Sequence, residues 1–229
     1  MHYYSLDTNL VIPLINPHDH NRRLVLKVVK KEKNDGVICS SVIEETRIVL
    51  RKKSLSAIEK CLKKIRKIRD FENDFDRNAF LIEALKELSE SNKELRDFYK
   101  LIFNKINEYL KENSIDELPS FLSEFVEQIT RIVILILKDN KLQIIGFNYS
   151  DINMWRRLIK ISKTVDKIKF KDEHDKWIFY ELASFANIEF TINCYTHDYE
   201  FSKKSNKSIS VLEEKINYAP STLRFTYVN

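Results

Sequence analysis

Short apolar runs alternate with helically spaced ones at the start of the chain. His2 to Leu6 reads as a strand that runs into Asp7-Thr8-Asn9 and on to Leu10-Val11-Ile12. Leu24, Leu26, Val28 and Val29 predict a helix over about Arg22 to Lys31. Asn34-Asp35-Gly36 carries a turn signal, and Val37-Ile38-Cys39 reads as a short buried strand. Ser40-Ser41 then caps a helix that opens Val42-Ile43-Glu44-Glu45. From Ser54 to Lys138 the spacing is helical throughout. Leu55, Ile58, Leu62, Ile65 and Ile68 mark one amphipathic face, Phe80 to Leu88 and Leu95 to Leu110 repeat the pattern, and Pro119 suits the first turn of a further helix. That helix ends in Ile132-Val133-Ile134-Leu135-Ile136-Leu137, which predicts last turns buried on all sides. After an Asp139-Asn140 turn the alternation resumes. Leu142 to Phe147 is a strand, Ser150-Asp151 caps a helix through Trp155 and Ile161, and a linker covers about Val165 to Lys171. A helix opens at Lys171-Asp172-Glu173-His174-Asp175 and reaches about Ala186, the strand Ile188 to Tyr195 follows, and Leu223 to Val228 can add a last one.

Strands separated by helices predict an α/β core with a parallel sheet. That core spans residues 1–53 and 139–229, and a helical insertion spans 54–138. The composition agrees. The 229 residues are 43% hydrophobic and 32% charged, enough for a sizeable core, while two Gly and four Pro are too few for an all-β fold rich in turns. The net charge of +5 and pI of about 8.9 permit a polyanionic partner without requiring one. Cys39, Cys61 and Cys194 are odd in number and widely spaced, which argues for small buried thiols in a reducing compartment rather than a disulfide frame or zinc site. No basic-then-apolar leader opens the sequence, and the longest apolar run falls well short of the ~20 residues that span a bilayer. The expectation is a cytoplasmic protein with no membrane partner.

Candidate chemistry lies where strands end. Asp7 follows the first strand and Asp198, in Thr196-His197-Asp198-Tyr199-Glu200-Phe201, follows the fourth. Glu44 and Glu45 begin the helix after the second strand, and Asp172 with Asp175 begins the helix before the fourth. The carboxyl edge of an open parallel sheet is where ligands bind. A helix returning to the fourth strand is expected to start at the opposite edge, so Asp175 needs a long or wrapped connection to join the others. Converging carboxylates raise one another's pKa, and Mg²⁺ or Mn²⁺ relieves that conflict because hard cations prefer carboxylate oxygen.

At these residues a resemblance emerges. Ser5-Leu6-Asp7-Thr8-Asn9 resembles the opening motif of PIN-domain nucleases. Ser40-Ser41-Val42-Ile43-Glu44-Glu45-Thr46-Arg47-Ile48-Val49-Leu50 is similar to their second motif, with Glu45 the better match for its acid. Asp175-Lys176-Trp177-Ile178-Phe179 with Leu182-Ala183 resembles the third and Thr196-His197-Asp198-Tyr199-Glu200-Phe201 the fourth. The resemblance covers about residues 1–52 and 165–229 and leaves the helical middle unexplained. It implies a three-layer α/β/α sandwich around a parallel sheet and metal-dependent cleavage of RNA, sometimes of DNA. It also implies that the third acid does reach the common site. Two positions stay open: Asp172 or Asp175 for the third acid, and Asp198 or Asn193 for the fourth, the latter from Thr191-Ile192-Asn193.

Each signal has a plainer reading. Asp7-Thr8-Asn9 can simply cap a helix, Glu44 and Glu45 suit a helix dipole, and Asp172 with Asp175 fits a capping box. Four such signals in family order carry more weight than any one. His174 and His197 sit beside the acids, and His197 can contact a phosphate or assist a proton transfer, or stay idle. His18 and His20 flank Asp19 in a loop, with no further metal ligand in view. Arg51-Lys52-Lys53, Lys60, Lys63, Lys64, Arg66, Lys67 and Arg69 make a basic helix face suited to phosphate or to plain solvation, and Arg156, Arg157, Lys160 and Lys163 a weaker one. Trp155 and Trp177 read as core residues.

The combined expectation is a ribonuclease that depends on Mg²⁺ or Mn²⁺. Asp7, Glu45, Asp175 and Asp198, with Asp172 as a further candidate, hold metal. Thr8, Asn9, Thr196 and Asn193 support them, and Lys60, Lys63, Lys64, Arg66 and Lys67 guide RNA. The alternatives are a PIN-like module that binds RNA or protein with little catalysis, or the toxin half of a toxin–antitoxin pair. The partners these readings allow are RNA, a second copy of the chain, and an antitoxin-like protein.

Overall fold

The computed structural model describes residues 1–66, 73–145, 151–186, 190–219 and 221–229. Among these, the strands are β1 (His2–Leu6), β2 (Asp35–Cys39), β3 (Leu142–Ile145), β4 (Thr191–Thr196) and β5 (Leu223–Tyr227). They form one sheet in the order β3-β2-β1-β4-β5, and every pairing is parallel. The described helices are α1 (Thr8–Ile15), α2 (Arg22–Lys31), α3 (Ser40–Lys64), α4 (Asp74–Ser91), α5 (Arg96–Tyr109), α6 (Leu118–Asp139), α7 (Ile152–Val165), α8 (Glu173–Phe185) and α9 (Tyr199–Ile216). The class is α/β with a five-stranded, all-parallel sheet. None of the described helices is long and apolar enough to cross a membrane.

Two compact units divide the chain. The first comprises Met1–Ile12, Arg23–Thr46 and Ile134–Asn229, and the second Pro13–Arg22 and Arg47–Val133. In the first unit the central strands β1 and β2 are buried at consecutive positions, as strands covered on both faces must be. The second unit is helical. Tyr99, Ile102 and Ile106 on α5 are fully buried, and on α6 Leu118, Leu122, Val126, Ile129 and Val133 keep three- and four-residue spacing.

Several expectations are corrected. Gly36 stands inside β2, not in a turn. It pairs with Tyr4 on one side and Leu142 on the other, and an added Cβ would lie 2.3 Å from Leu142 Cδ2 and 2.7 Å from Tyr4 Cζ. Space, not backbone conformation, requires glycine there. The helix entered at Ser40 runs unbroken through Lys64, across the sequence boundary at residue 53. Its seam is rotated from the predicted one: Ser54, Ala57, Ile58, Cys61 and Ile65 are buried, whereas Leu55 is 42% exposed. The run Ile132 to Leu137 is buried on one face only, with Val133 and Leu137 at 0% exposure and Leu135 at 58%. Strand β4 begins at Thr191. The expected Gly146-Phe147 extension of β3, Ser150 in the cap of α7, and Ile188 at the start of β4 lie outside the described residues.

Gly36→Ala should destabilise the protein by about 1–3 kcal/mol, the usual cost of overpacking a core. Substituting a glycine elsewhere, where the backbone tolerates it, normally stabilises by about 0.4–1 kcal/mol. Urea unfolding decides the sign, and a gain in stability for this variant defeats the packing argument.

Candidate functional site

The strand order reverses direction at the centre of the sheet. From β1 the chain moves outward to β2 and β3; from β4 it moves the opposite way to β5. In open parallel sheets such a reversal sends successive helices to opposite faces and marks the carboxyl ends of the central strands, here β1 and β4, as the place where ligands bind. Those two strands are neighbours, with Leu6 opposite Tyr195. Asp7 is the residue after β1 and Asp198 lies just after β4, so both sit at this switch point.

Asp7 is 3% exposed. Its Oδ1 accepts from the Thr8 backbone N–H at 2.7 Å, and its Oδ2 accepts from Asn9 Nδ2 at 2.7 Å and from the Thr196 hydroxyl at 2.8 Å. A carboxylate offers about four lone-pair positions, so one on Oδ1 stays uncommitted among the described residues. The support is itself ordered. Asn9 Oδ1 accepts from His197 N at 2.9 Å, and Thr196 Oγ1 accepts from Asp198 N at 2.9 Å. Thr8 donates its hydroxyl to Glu45 Oε2, tying the first turn of α1 to α3. Thr8, Asn9 and Thr196 are thus all hydrogen-bonded to the acids or to one another.

Helix geometry brings in the remaining acids. A helix that returns to a parallel strand runs against the strand direction, so α8 starts at the carboxyl edge and needs no wrapped connection. The charges of Asp7, Asp198 and Glu45 act on Asp175 in its first turn, and Glu181, two turns along, accepts from Ser40 Oγ at 2.8 Å and Ser41 N at 3.0 Å at the start of α3. Asp172 caps α8, accepting from Asp175 N at 2.9 Å, and Asp198 caps α9, accepting from Phe201 N at 2.9 Å. The structural role of both caps is therefore real, and each leaves its second carboxylate oxygen outside the cap. Lys171 Nζ approaches Asp198 Oδ2 at 3.9 Å. Glu45 is half-buried and Glu44 is exposed on another side of α3.

Electrostatics couple these groups. Burial pushes the Asp7 carboxyl up to about 7; the Thr196 and Thr8 hydrogen bonds oppose the shift, while the charges of Glu45 and Asp198 add to it. Asp175 is likewise pushed to about 7, first by burial and then by the carboxylates of Asp172, Asp7, Asp198 and Glu45. Five acids from four chain segments therefore share one field. They do not close into a single coordination sphere. Among the described residues, three ligand atoms of His, Asp or Glu fall within 4.8 Å of one another only at Asp19, His20 and Asp97.

That second group lies in the helical unit and reads as an ion network. Asp97 Oδ2 accepts from His20 N at 3.2 Å and lies 2.8 Å from His20 Nδ1, while Lys100 Nζ and Arg96 Nε approach Oδ1 at 3.5 and 3.7 Å. Burial works against Asp97 ionisation, but His20 and Lys100 outweigh it and hold the carboxyl below its usual value. Bases surround it, unlike the switch-point acids.

Other predicted residues fall elsewhere. Asn193 is three residues back in β4, where its Oδ1 accepts from the Thr226 hydroxyl at 2.7 Å; the structure does not bring it to the acids. His197 Nδ1 meets Val228 O at 2.8 Å and its ring stacks on Tyr227. The basic face on α3 is broken by acids. Lys63 pairs with Glu59 at 2.6 Å, Lys64 with Glu87, and Arg51 with Glu127 at 2.8 Å. Lys60 and Arg66 remain half-buried and exposed respectively, and Lys67 and Arg69 lie outside the described residues. Sequence reading missed Glu181 and Lys171, because no spacing rule links either to its distant partner.

No protein-family model, curated protein or solved structure matches the chain.

The raised carboxyls set a pH dependence. Their folded values near 7 exceed the unfolded value of about 3.9, so the folded state holds protons more tightly. Their stabilising contribution is full below about pH 4 and is lost as pH rises through about 7. Chelator-treated protein should melt at a lower temperature at about pH 8 than at about pH 5, and added Mn²⁺ should restore the loss at the higher pH. Thermal melts with and without the ion check this, and a melting temperature indifferent to Mn²⁺ counts against a cation site.

Proposed function

We propose that the chain is a nuclease of PIN-like fold that hydrolyses RNA phosphodiester bonds with Mg²⁺ or Mn²⁺. The observation that supports this reading best is the field shared by Asp7, Glu45, Asp175 and Asp198 at the switch point of a parallel sheet. Their chain order is also the order of the four motifs that resemble the PIN family. Buried like charges cost stability unless a cation neutralises them, so so much uncompensated acid at one edge argues for a ligand rather than a purely structural role.

The donor set suits a hard cation: carboxylate oxygens, with no thiol or imidazole among them. Asp7, Glu45, Asp175 and Asp198 would hold it, with Asp172 beside Asp175. Bound there, such an ion supplies Lewis-acid charge and lowers the pKa of attached water. The chain's own part is orientation. Thr8, Asn9 and Thr196 fix the Asp7 carboxylate, the Thr8 hydroxyl aims Glu45, and the α9 cap holds Asp198. Lys171, beside Asp198, is the one cation paired with this group among the described residues and is placed to counter charge on a phosphate. Buried free Cys39, Cys61 and Cys194 fit a cytoplasmic protein.

A second reading is a PIN-like module that binds RNA or protein without cleaving it. It draws on the spacing of the acids, no three of which come within 4.8 Å. Metal-dependent products separate the two.

Purified protein incubated with a mixed RNA pool should yield fragments with Mn²⁺ and none in excess EDTA. Asp7→Asn should lose cleavage while keeping its circular dichroism spectrum. Thr196→Val, which removes a support and not a ligand, should lower the rate about 10–100-fold. Full activity of Asp7→Asn, or full activity in EDTA, would falsify the nuclease reading.

A further inference from the structure

Helix α8 presents two working sides. Asp172 and Asp175 look toward the acids, while His174, Trp177 and Glu181, spaced three and four residues apart, share another side. That second side, with Glu44 on α3 and Trp155 and Leu158 on α7, lines a cleft of about 330 Å³ within the first unit. The volume is at the small end of ligand clefts, roughly 300–1,000 Å³, and suits one flat ring system. Trp177 was expected in the core; it is 44% exposed instead. Both tryptophans of the chain line this cleft. Of its two carboxylates, Glu181 is engaged at the start of α3, whereas Glu44 makes no hydrogen bond or ion pair among the described residues.

Two indoles and a hydrogen-bond-accepting rim match the chemistry of a nucleobase. Indole faces stack on bases of any sequence, and a carboxylate accepts from an exocyclic amino group. We propose that this cleft holds one unstacked nucleobase of a single-stranded substrate, stacked against Trp177 and Trp155 and read by Glu44. The proposal rests on the phosphodiester reading of the neighbouring acids. His174 lines the cleft and Asp175, the next residue, belongs to the switch-point acids, so the cleft and the acids share the first turn of α8. The base is uncharged, so the acidic rim does not repel it as it would a phosphate. Glu44 favours adenine and cytosine, which carry amino donors, over uracil, whose O4 is an acceptor and meets the carboxylate unfavourably. Duplex RNA is disfavoured, since a paired base must first unpair and unstack to enter.

Because both tryptophans sit at the cleft, intrinsic fluorescence reports on it directly. Adenosine, cytidine and uridine, which have no phosphate and need no metal, are the probes, used in chelator with the full-length chain. Adenosine and cytidine should quench saturably and uridine several-fold more weakly. Glu44→Gln should erase that preference. Trp177→Ala should weaken adenosine binding roughly five- to a hundredfold, while Trp177→Phe, with a ring retained, keeps most of it. A nuclease that cuts RNA but shows no quenching by nucleosides, or binds them equally after Trp177→Ala, overturns the base cleft and leaves the metal site standing. Quenching that follows the proposal in a protein without nuclease activity does the reverse. Response to spermidine or a lysine-rich peptide in place of nucleosides marks a site for cations and also overturns it.

Discussion

Burying the Asp7 carboxylate requires every group around it to be a donor. The Thr8 backbone, the Asn9 amide and the Thr196 hydroxyl meet that demand, and each belongs to a segment whose position the sheet already sets. Asp7 N also donates to Tyr195 O at 2.9 Å, extending the β1–β4 pairing one residue past the strand. The acid is therefore held by the ladder that joins the two central strands. Removing water from an ionised carboxylate is costly unless hydrogen bonds and counter-charge compensate. Hydrogen bonds do part of this here, but neighbouring Glu45 and Asp198 act in the opposite sense, and the carboxyl rises to about 7.

The contrast between the two acidic groups of the molecule is instructive. Asp97 is also buried, yet His20, Lys100 and Arg96 surround it and its carboxyl stays low. That arrangement is complete as a way of tying the segment Pro13–Arg22 to α5, both within the helical unit. Around Asp7 and Asp175 the neighbours are carboxylates, with Lys171 alone approaching Asp198 among the described residues. Charge balance separates the two groups: bases counter Asp97, whereas Asp7 and Asp175 face further carboxylates.

Much of the layout was legible in the chain because it rests on local rules. The strand openings near His2, Val37 and Leu223, the helix over Arg22 to Lys31, and the caps at Asp151 and Asp172 follow from periodicity and capping chemistry, whereas the helix α9 capped by Asp198 was not foreseen. Errors arose where neighbours outside the local window decide. Gly36 resembles a turn residue by its Asn-Asp-Gly setting, but two side chains on flanking strands claim its space. Leu55 fits a helical stripe as well as Ser54 does, and only the packed partner shows that the seam runs through Ser54. Ile132 to Leu137 is apolar on all sides, yet burial covers one face. The acids themselves were legible as candidates; their separation beyond a shared coordination sphere was not, because it depends on where the fold holds four distant segments.

Sequence alone determined the alternation of strand and helix, the all-parallel sheet it implies, and the acids that follow β1 and β4, since these depend on side-chain period and on capping over a few residues. The tertiary structure decided which strands are neighbours, and with that where the crossovers reverse. Strand order is set by non-local pairing, which leaves no mark within any short window of the chain. From it follow the meeting of Asp7 with Thr196 and the gathering of carboxylates from four distant segments into a single field.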